Sequence, residues 1–291
     1  MLIGNPISGG GRAIRLAEQL LQALKGRGHA VELCMTREAG EGRRRAGHID
    51  SDVDRLVVIG GDGMLNEILN GLPDPAAVPL CQLATGTANI LAHDLRLPRR
   101  PEALAQLLES GELRRLDMGQ IGERRFLMLV SAGFDAMVTE EIRRTRSGKL
   151  GYARYLAPIL RVLGGYKPVR ISVQVDGQPP VTGELAVVSN TRNYGGLFTL
   201  ADRARVDSGH LDVCVLRRAS LPALLRAAAG GLSGGISGQK DVIYLTGREI
   251  TLEAEDDVAV QVDGDYFGRT PVRIGLQPAI VPFISPRVGT S

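Results

Sequence analysis

The sequence predicts an α/β domain built on an open, mostly parallel sheet, followed by a β-rich, sandwich-like domain. Three observations carry this. Residues 1–117 alternate apolar, strand-like runs with helical patterns, as βαβ units do. Leu56-Val57-Val58-Ile59 is an unbroken apolar run ending in glycine, the pattern of a central parallel strand covered on both faces. Beyond Leu116-Asp117-Met118-Gly119 the segments shorten into strands punctuated by Asp176-Gly177, Ser208-Gly209 and Asp263-Gly264, dipeptides that favour turns.

Along the chain, Leu2-Ile3 begins a first strand and a glycine-rich loop follows. A helix is expected from about Arg12 to Lys25, with Ile14, Ala17, Leu20, Leu21 and Leu24 inward. Ala30 to Met35 reads as a strand, and so does Leu56 to Ile59. Residues 64–71 read as a helix, 79–83 as a strand and 88–95 as another helix. Pro101 to Glu109 is a further helix, with proline at its start as helices prefer. Strands are then expected at 126–130, 169–175, 184–189, 211–216, 242–245, 249–253, 258–262 and 271–274. Helices are expected at 136–145, 150–163 and 221–229, and Gly230 to Gly238 reads as a flexible surface loop.

Composition narrows the partners. A net charge of +3 over 291 residues is too small for a general nucleic-acid binder, so no nucleic acid is expected. The paired arginines Arg43-Arg44-Arg45, Arg99-Arg100, Arg114-Arg115, Arg124-Arg125, Arg143-Arg144 and Arg217-Arg218 read as solvated faces. The alternative is docking on anionic lipid headgroups. Cys34, Cys81 and Cys214 are odd in number and sit in apolar stretches, as reduced core thiols do. The four histidines show no ligand spacing. No leader-like run opens the chain, and no stretch approaches the ~20 apolar residues of a membrane span. The expected place is the cytoplasm, with any membrane met peripherally, from its inner surface.

Gly60-Gly61-Asp62-Gly63 lies where a buried strand hands over to a helix. Such a turn lets backbone approach a phosphate, and the N–H groups of the following helix favour the anion. Asp62 is the informative residue. A carboxylate beside a phosphate repels it unless Mg²⁺ or a transferable proton intervenes, which suggests phosphoryl transfer. The plain alternative is a strand-to-helix turn with Asp as a cap. Asn5-Pro6-Ile7-Ser8-Gly9-Gly10-Gly11 and Thr85-Gly86-Thr87-Ala88-Asn89 make the same strand-to-helix transition, and parallel strands put all three loops on one edge. Neither G-x-x-x-x-G-K-[ST] nor G-x-G-x-x-G is present.

These residues resemble a known family. Asn5-Pro6-x-Ser8-Gly9, then Gly60-Gly61-Asp62-Gly63-x-x-Asn66-Glu67-x-x-Asn70-Gly71-Leu72, then Gly86-Thr87-Ala88-Asn89 are similar to the diacylglycerol kinase catalytic domain. Within it, the soluble bacterial lipid kinases related to sphingosine and ceramide kinases match best. Ser189-Asn190, Tyr194-Gly195-Gly196, Asp207 to Val213 and Val262-Asp263-Gly264-Asp265 fall in the family's order. The resemblance implies an NAD kinase/phosphofructokinase-like nucleotide-binding domain at 1–117 and a β-rich acceptor domain at 118–283. It also implies that 284–291 return to the first domain, with Pro286 onward packing there. The implied activity is transfer of the ATP γ-phosphoryl group to a lipid hydroxyl with Mg²⁺, at the membrane surface, and a homodimer is compatible with it.

Carried over by motif, Asn5, Pro6, Ile7, Ser8, Gly9, Thr36, Gly60, Gly61, Asp62, Gly63, Met64, Leu65, Asn66 and Thr87 would contact ATP. Asp265 would take the acceptor's proton, and Asp62 and Asp263 would organise Mg²⁺. Asp207 and Ser208 stand where relatives hold a structural Mg²⁺. Three departures matter. Met64 replaces a hydroxyl residue, Asp265 is one methylene shorter than the usual Glu, and Ser208 stands where relatives often place Asp. The first strand is also short, implying a clipped start or a misassigned start codon. For Asp263-Gly264-Asp265 the plain alternative is a hairpin turn. An NAD kinase-like enzyme, or a nucleotide-binding regulator that has lost catalysis, are the competing functions. The acceptor is not legible, since Leu150, Tyr155, Leu156 and Ile159 suit a core as well as a pocket wall.

Overall fold

The computed structural model describes residues 1–145 and 153–287. Two compact units emerge. The first comprises residues 1–116 and 279–291, the second 117–278. The chain leaves unit 1 within one strand and returns within another.

Unit 1 is an open α/β sheet. Its elements are β1 (Leu2–Gly4), a 3₁₀ turn (Ser8–Gly11), α1 (Arg12–Gly26), β2 (Leu33–Met35), α2 (Glu41–Ala46), β3 (Leu56–Gly60), α3 (Asp62–Leu69), β4 (Leu80–Ala84), α4 (Ile90–Asp94) and α5 (Pro101–Ser110). The parallel order is β2-β1-β3-β4, in register through Gly4↔Met35, Gly4↔Ile59 and Gly60↔Ala84. The first strand's neighbours lie on opposite sides of it, so the crevice between the ends of β1 and β3 is the topological switch point. The inward stripe of α1 is Ala13, Ala17, Leu20 and Leu24. Ile14, expected inward, is exposed, because the i, i+4, i+7, i+11 spacing of that stripe starts from Ala13.

Unit 2 begins inside β5 (Glu112–Ile121) and continues with β6 (Arg124–Phe126), β7 (Leu129–Ala132), α6 (Phe134–Arg144), α7 (Ala153–Gly165), β8 (Ile171–Val175), β9 (Val181–Gly183) and β10 (Leu185–Ser189). Then come β11 (Asn193–Tyr194), β12 (Phe198–Thr199), β13 (Leu211–Leu216), α8 (Leu221–Leu232), β14 (Val242–Gly247), β15 (Glu249–Ala254), β16 (Ala259–Val262), β17 (Asp265–Arg269) and β18 (Val272–Ser285). An antiparallel sheet of order β14-β13-β10-β7-β16-β17 faces an antiparallel group in which β15 joins the start of β18 to β8 and β9. Val130, Val188, Val213 and Val260 of the one interleave with Val173, Ile250 and Leu252 of the other in a single apolar core. This is the sandwich the turn-punctuated second half predicts. The last part of β18 belongs to unit 1, where Phe283 lies beside Leu80 of β4 in parallel.

The structure differs from expectation in several places. The strand expected at 126–130 is two strands broken at Leu127-Met128, where the backbone N–H groups turn to a side chain described below. Of the strand expected from Ala30, only Leu33–Met35 pairs. Gly230 and Gly231 continue α8, which ends at Leu232, and Ile236 is fully buried, so only part of the surface loop expected from Gly230 to Gly238 is present. Leu156 is exposed rather than part of a core, whereas Leu150, the side chain of Tyr155 and residues 288–291 lie outside the described residues. The three cysteines are buried and free.

Candidate active site

Three loops meet on the carboxyl edge of the unit 1 sheet because four parallel strands end there in register. Asn5 continues from β1: its N–H donates to Ile59 O (3.0 Å) and its side-chain oxygen accepts the N–H of Ile7 (3.1 Å). Gly9, Gly10 and Gly11 follow with φ of 60°, 69° and 88°, a run that side chains would strain. Thr36 is buried at the end of β2, its N–H on Gly4 O (2.8 Å). The loops are also tied to one another. Thr85 Oγ1 donates to Ser8 Oγ (2.9 Å), and the N–H of Thr85 donates to Gly60 O (3.1 Å). Asn89 closes its own loop by accepting from the N–H of Gly86 (2.9 Å) and donating to Gly86 O (2.8 Å).

Gly61 and Gly86 are where backbone meets backbone. A Cβ added to Gly86 would lie 2.5 Å from the Gly61 Cα, and one added to Gly61 would lie 3.0 Å from the Gly86 Cα. Only glycine permits this approach. The half-buried Asp62 opens α3, and the exposed Gly63 follows it. Here N–H groups of a helix start and a carboxylate share one place, which suits a phosphate accompanied by a cation. Asn66 is buried and its backbone and side-chain oxygens accept from Asn70 Nδ2 (2.9 and 3.2 Å). Thr87 is exposed between the Gly86 and Asn89 positions.

Met64 and Leu65 do not face the edge. Leu65 is fully buried, Met64 nearly so beside Gly42 and Gly60, and both N–H groups donate to Gly61 O (3.1 and 3.2 Å). Their side chains thus serve the packing of α3 against the sheet. Sequence reasoning also passed over Gln82, a polar residue inside an apolar strand, whose Nε2 donates to Gly60 O (3.2 Å) and steadies the turn from below.

In unit 2, Asp263-Gly264 is a two-residue hairpin turn: Val262 pairs with Asp265, and φ is 50° at Asp263 and 87° at Gly264. The Asp263 carboxylate accepts from three backbone N–H groups, those of Leu127 (3.3 Å), Met128 (3.1 Å) and Leu129 (2.9 Å). It thus organises the break between β6 and β7. Asp265 is exposed and pairs with Arg124 (3.1 Å).

Beneath this turn runs a polar network with few signals in the sequence. Gln261 accepts from the N–H of Gly264 (2.7 Å) and donates to Ser131 Oγ (2.7 Å), which donates to Asp135. Tyr194 OH donates to the same Asp135 oxygen, and the other oxygen, Oδ1, is buried without a hydrogen-bond partner. Burial raises the Asp135 pKa, against the hydrogen bonds that lower it. An acid two residues after a strand-ending glycine was the visible clue. Asn190 ties the same region together, donating to Asp117 O (2.9 Å) and Leu127 O (3.0 Å).

Asp207 and Ser208, expected at a structural cation, are engaged within their own turn. Ser208 Oγ donates to His210 O (3.0 Å), its N–H donates to Arg205 O (3.2 Å), and Asp207 pairs with Arg205 (3.4 Å). No cluster of three or more His, Cys, Asp or Glu able to hold a metal ion occurs among the described residues.

The comparisons with known proteins agree along the whole chain. The family model described as diacylglycerol kinase catalytic domain matches residues 1–121, and that described as YegS C-terminal NAD kinase beta sandwich-like domain matches 128–285. The chain belongs to the diacylglycerol kinase catalytic-domain family. As a member of that family it is a phosphotransferase with an alcohol group as acceptor, in a family of lipid kinases. A diacylglycerol kinase of Mycobacterium tuberculosis (strain ATCC 25618 / H37Rv) is 28% identical over 294 residues, covering 98% of this chain and 94% of that protein. One from Bacillus subtilis (strain 168) is 26% identical over 275 residues, covering 93% and 90%. A crystal structure of a diacylglycerol kinase from Bacillus anthracis str. Sterne superposes with a TM-score of 0.79 at 21% identity, covering 99% and 97%, and establishes the fold. No helix among the described residues is long and apolar enough to cross a membrane.

Proposed function

We propose that this family member transfers the γ-phosphoryl group of ATP to the hydroxyl of a diacylglycerol-type lipid. The observation that carries the proposal is the apposition of Gly61 and Gly86, which brings two strand-to-helix loops together at the switch point of the sheet. In this reading Asn5 to Gly9, Thr36, Gly60 to Gly63, Asn66 and Thr87 surround the nucleotide, and Asp62 would hold Mg²⁺, which would supply neutralisation of the phosphate charge. The acceptor oxygen attacks the γ-phosphorus, ADP leaves, and the hydroxyl proton passes to Asp265. Arg124 orients that carboxylate, and the network from Asp135 to Gly264 positions the turn on which it stands. The enzyme works in the cytoplasm and reaches its substrate at the inner membrane surface.

The test is incubation of the purified protein with ATP, Mg²⁺ and, separately, diacylglycerol, sphingosine, ceramide and phosphatidylglycerol in micelles. Phosphorylated diacylglycerol is the expected product, with Asp62→Asn greatly slowed. The absence of any phosphorylated lipid, or formation of NADP from ATP and NAD, would overturn the proposal.

A further inference from the structure

The helix α8 is built inside out. Its buried positions are the small residues Ala223, Ala227 and Gly231, spaced by four. A side chain at Gly231 would come within 3.1 Å of Phe198 Cβ, so the seam against β12 needs small residues. Three of its four leucines face outward, Leu221 51% exposed, Leu225 61% and Leu232 66%, while Leu224 is half-buried against the core. At ~100° per residue these three fall within about 40° of one another. A globular helix of ordinary amphipathicity would bury that stripe.

The charged residues of the segment itself have one sign. From Arg217 to Lys240 there is no acidic residue. Arg217 and Arg218 are exposed just before the helix, and Lys240 is exposed beside them because the N–H of Arg217 donates to Asp241 O (2.9 Å). Arg226, on the helix itself, pairs with Asp241 (2.9 Å). The nearby carboxylate of Glu184 is engaged by the N–H of Ala219 (2.7 Å). Cations at a helix start oppose the helix dipole, so the arginine pair does not serve helix stability.

We propose that α8 lies in the plane of an anionic bilayer surface. Leu221, Leu225 and Leu232 enter the acyl boundary and Arg217, Arg218 and Lys240 meet lipid phosphates. Charge complementarity selects this occupant over a second copy of the chain, since the segment 217–240 offers no acid to receive another copy's cations. The inference rests on the lipid-kinase reading only for its purpose, which is to hold the enzyme where its acceptor resides.

The experiment is flotation of the full chain with vesicles of phosphatidylcholine alone or of equal parts phosphatidylcholine and phosphatidylglycerol. Wild type should float with the mixed vesicles and weakly with the neutral ones. Leu225→Glu should weaken binding to the mixed vesicles by at least about ten-fold. Each of Arg217→Gln and Arg218→Gln should weaken it by about five-fold, with no effect on neutral vesicles. All three positions are exposed, so thermal unfolding should be unchanged, which separates docking from folding. Wild-type flotation of Leu225→Glu would overturn the proposal, and so would a dimer of wild type that Leu225→Glu converts to a monomer. The kinase reading is tested separately with a water-soluble short-chain diacylglycerol, which wild type and variants should phosphorylate equally. Lipid-dependent flotation without phosphorylation would keep the docking helix and remove the kinase.

Discussion

The edge of unit 1 and the hairpin of unit 2 both present a carboxylate, yet they are built in opposite ways. Around Asp62 the framework is backbone. Gly9 to Gly11 take left-handed conformations, Gly61 and Gly86 touch through their Cα atoms, and four strand ends in register hold the loops. Around Asp265 the framework is side chains. Asp263 gathers three N–H groups, and Gln261, Ser131 and Asp135 form a chain beneath Gly264. A surface for phosphate can be made of N–H groups that any residue supplies, provided glycine allows the approach. A proton acceptor needs one carboxylate in one place, and fixing it takes polar groups brought from distant positions.

This contrast can be broken from either side. The largest effect is expected from Asp265→Asn, which should lower kcat for lipid phosphorylation by about 10²- to 10⁴-fold. Because Asp265 is exposed, the melting temperature should hold. Near-wild-type turnover would remove Asp265 from the proton-accepting role.

Asp263→Ala should act the other way, on stability. It leaves three N–H groups without their acceptor and should cost about 3 kcal/mol, seen as a lowered urea midpoint. A variant as stable as wild type would show that the β6–β7 break does not depend on this carboxylate.

On the unit 1 side, Gly86→Ala forces a Cβ to within 2.5 Å of Gly61. Separating the loops should cost about 2 kcal/mol of stability and weaken nucleotide binding disproportionately, as titration calorimetry would measure. Unaltered ATP affinity would mean that the close approach is packing alone.

The smallest effect is a pH dependence. Burial raises the pKa of Asp135 in the folded protein, so its contribution to stability is complete below the unfolded carboxyl value and is lost as pH rises through the folded value. Asp135→Asn should therefore flatten the fall in unfolding free energy between acidic and neutral pH, measured by urea denaturation, by about 1.4 kcal/mol for each pKa unit between the two states. Parallel profiles for variant and wild type would argue that Asp135 is ionised throughout.

The two sites were unequally legible, and the reason is sequence distance. Gly60 to Gly63, Asn5 to Gly9 and Gly86 to Asn89 are contiguous motifs at strand ends, and apolar runs plus parallel topology imply that they share an edge. The Asp263-Gly264 turn was equally visible as a hairpin dipeptide. Its partners were not: Leu127 to Leu129 lie 134 to 136 positions away, and Gln261 meets Ser131 across 130. Met64 shows what a motif leaves out. A motif placed it among ligand contacts, but the α3 register turned its side chain into the core.

The sequence alone determined the sheet order's raw material, the sandwich, and the convergence of three glycine loops, because apolar periodicity and glycine report local backbone states directly. Tertiary structure decided that Asp263 braces a strand break while Asp265 stays exposed, that Ser208 closes its turn by its own hydroxyl, and that α8 shows its leucines to the outside. Each of those depends on which distant group arrives within hydrogen-bonding or packing distance, and that is a property of the fold, which no local stretch of residues encodes by itself.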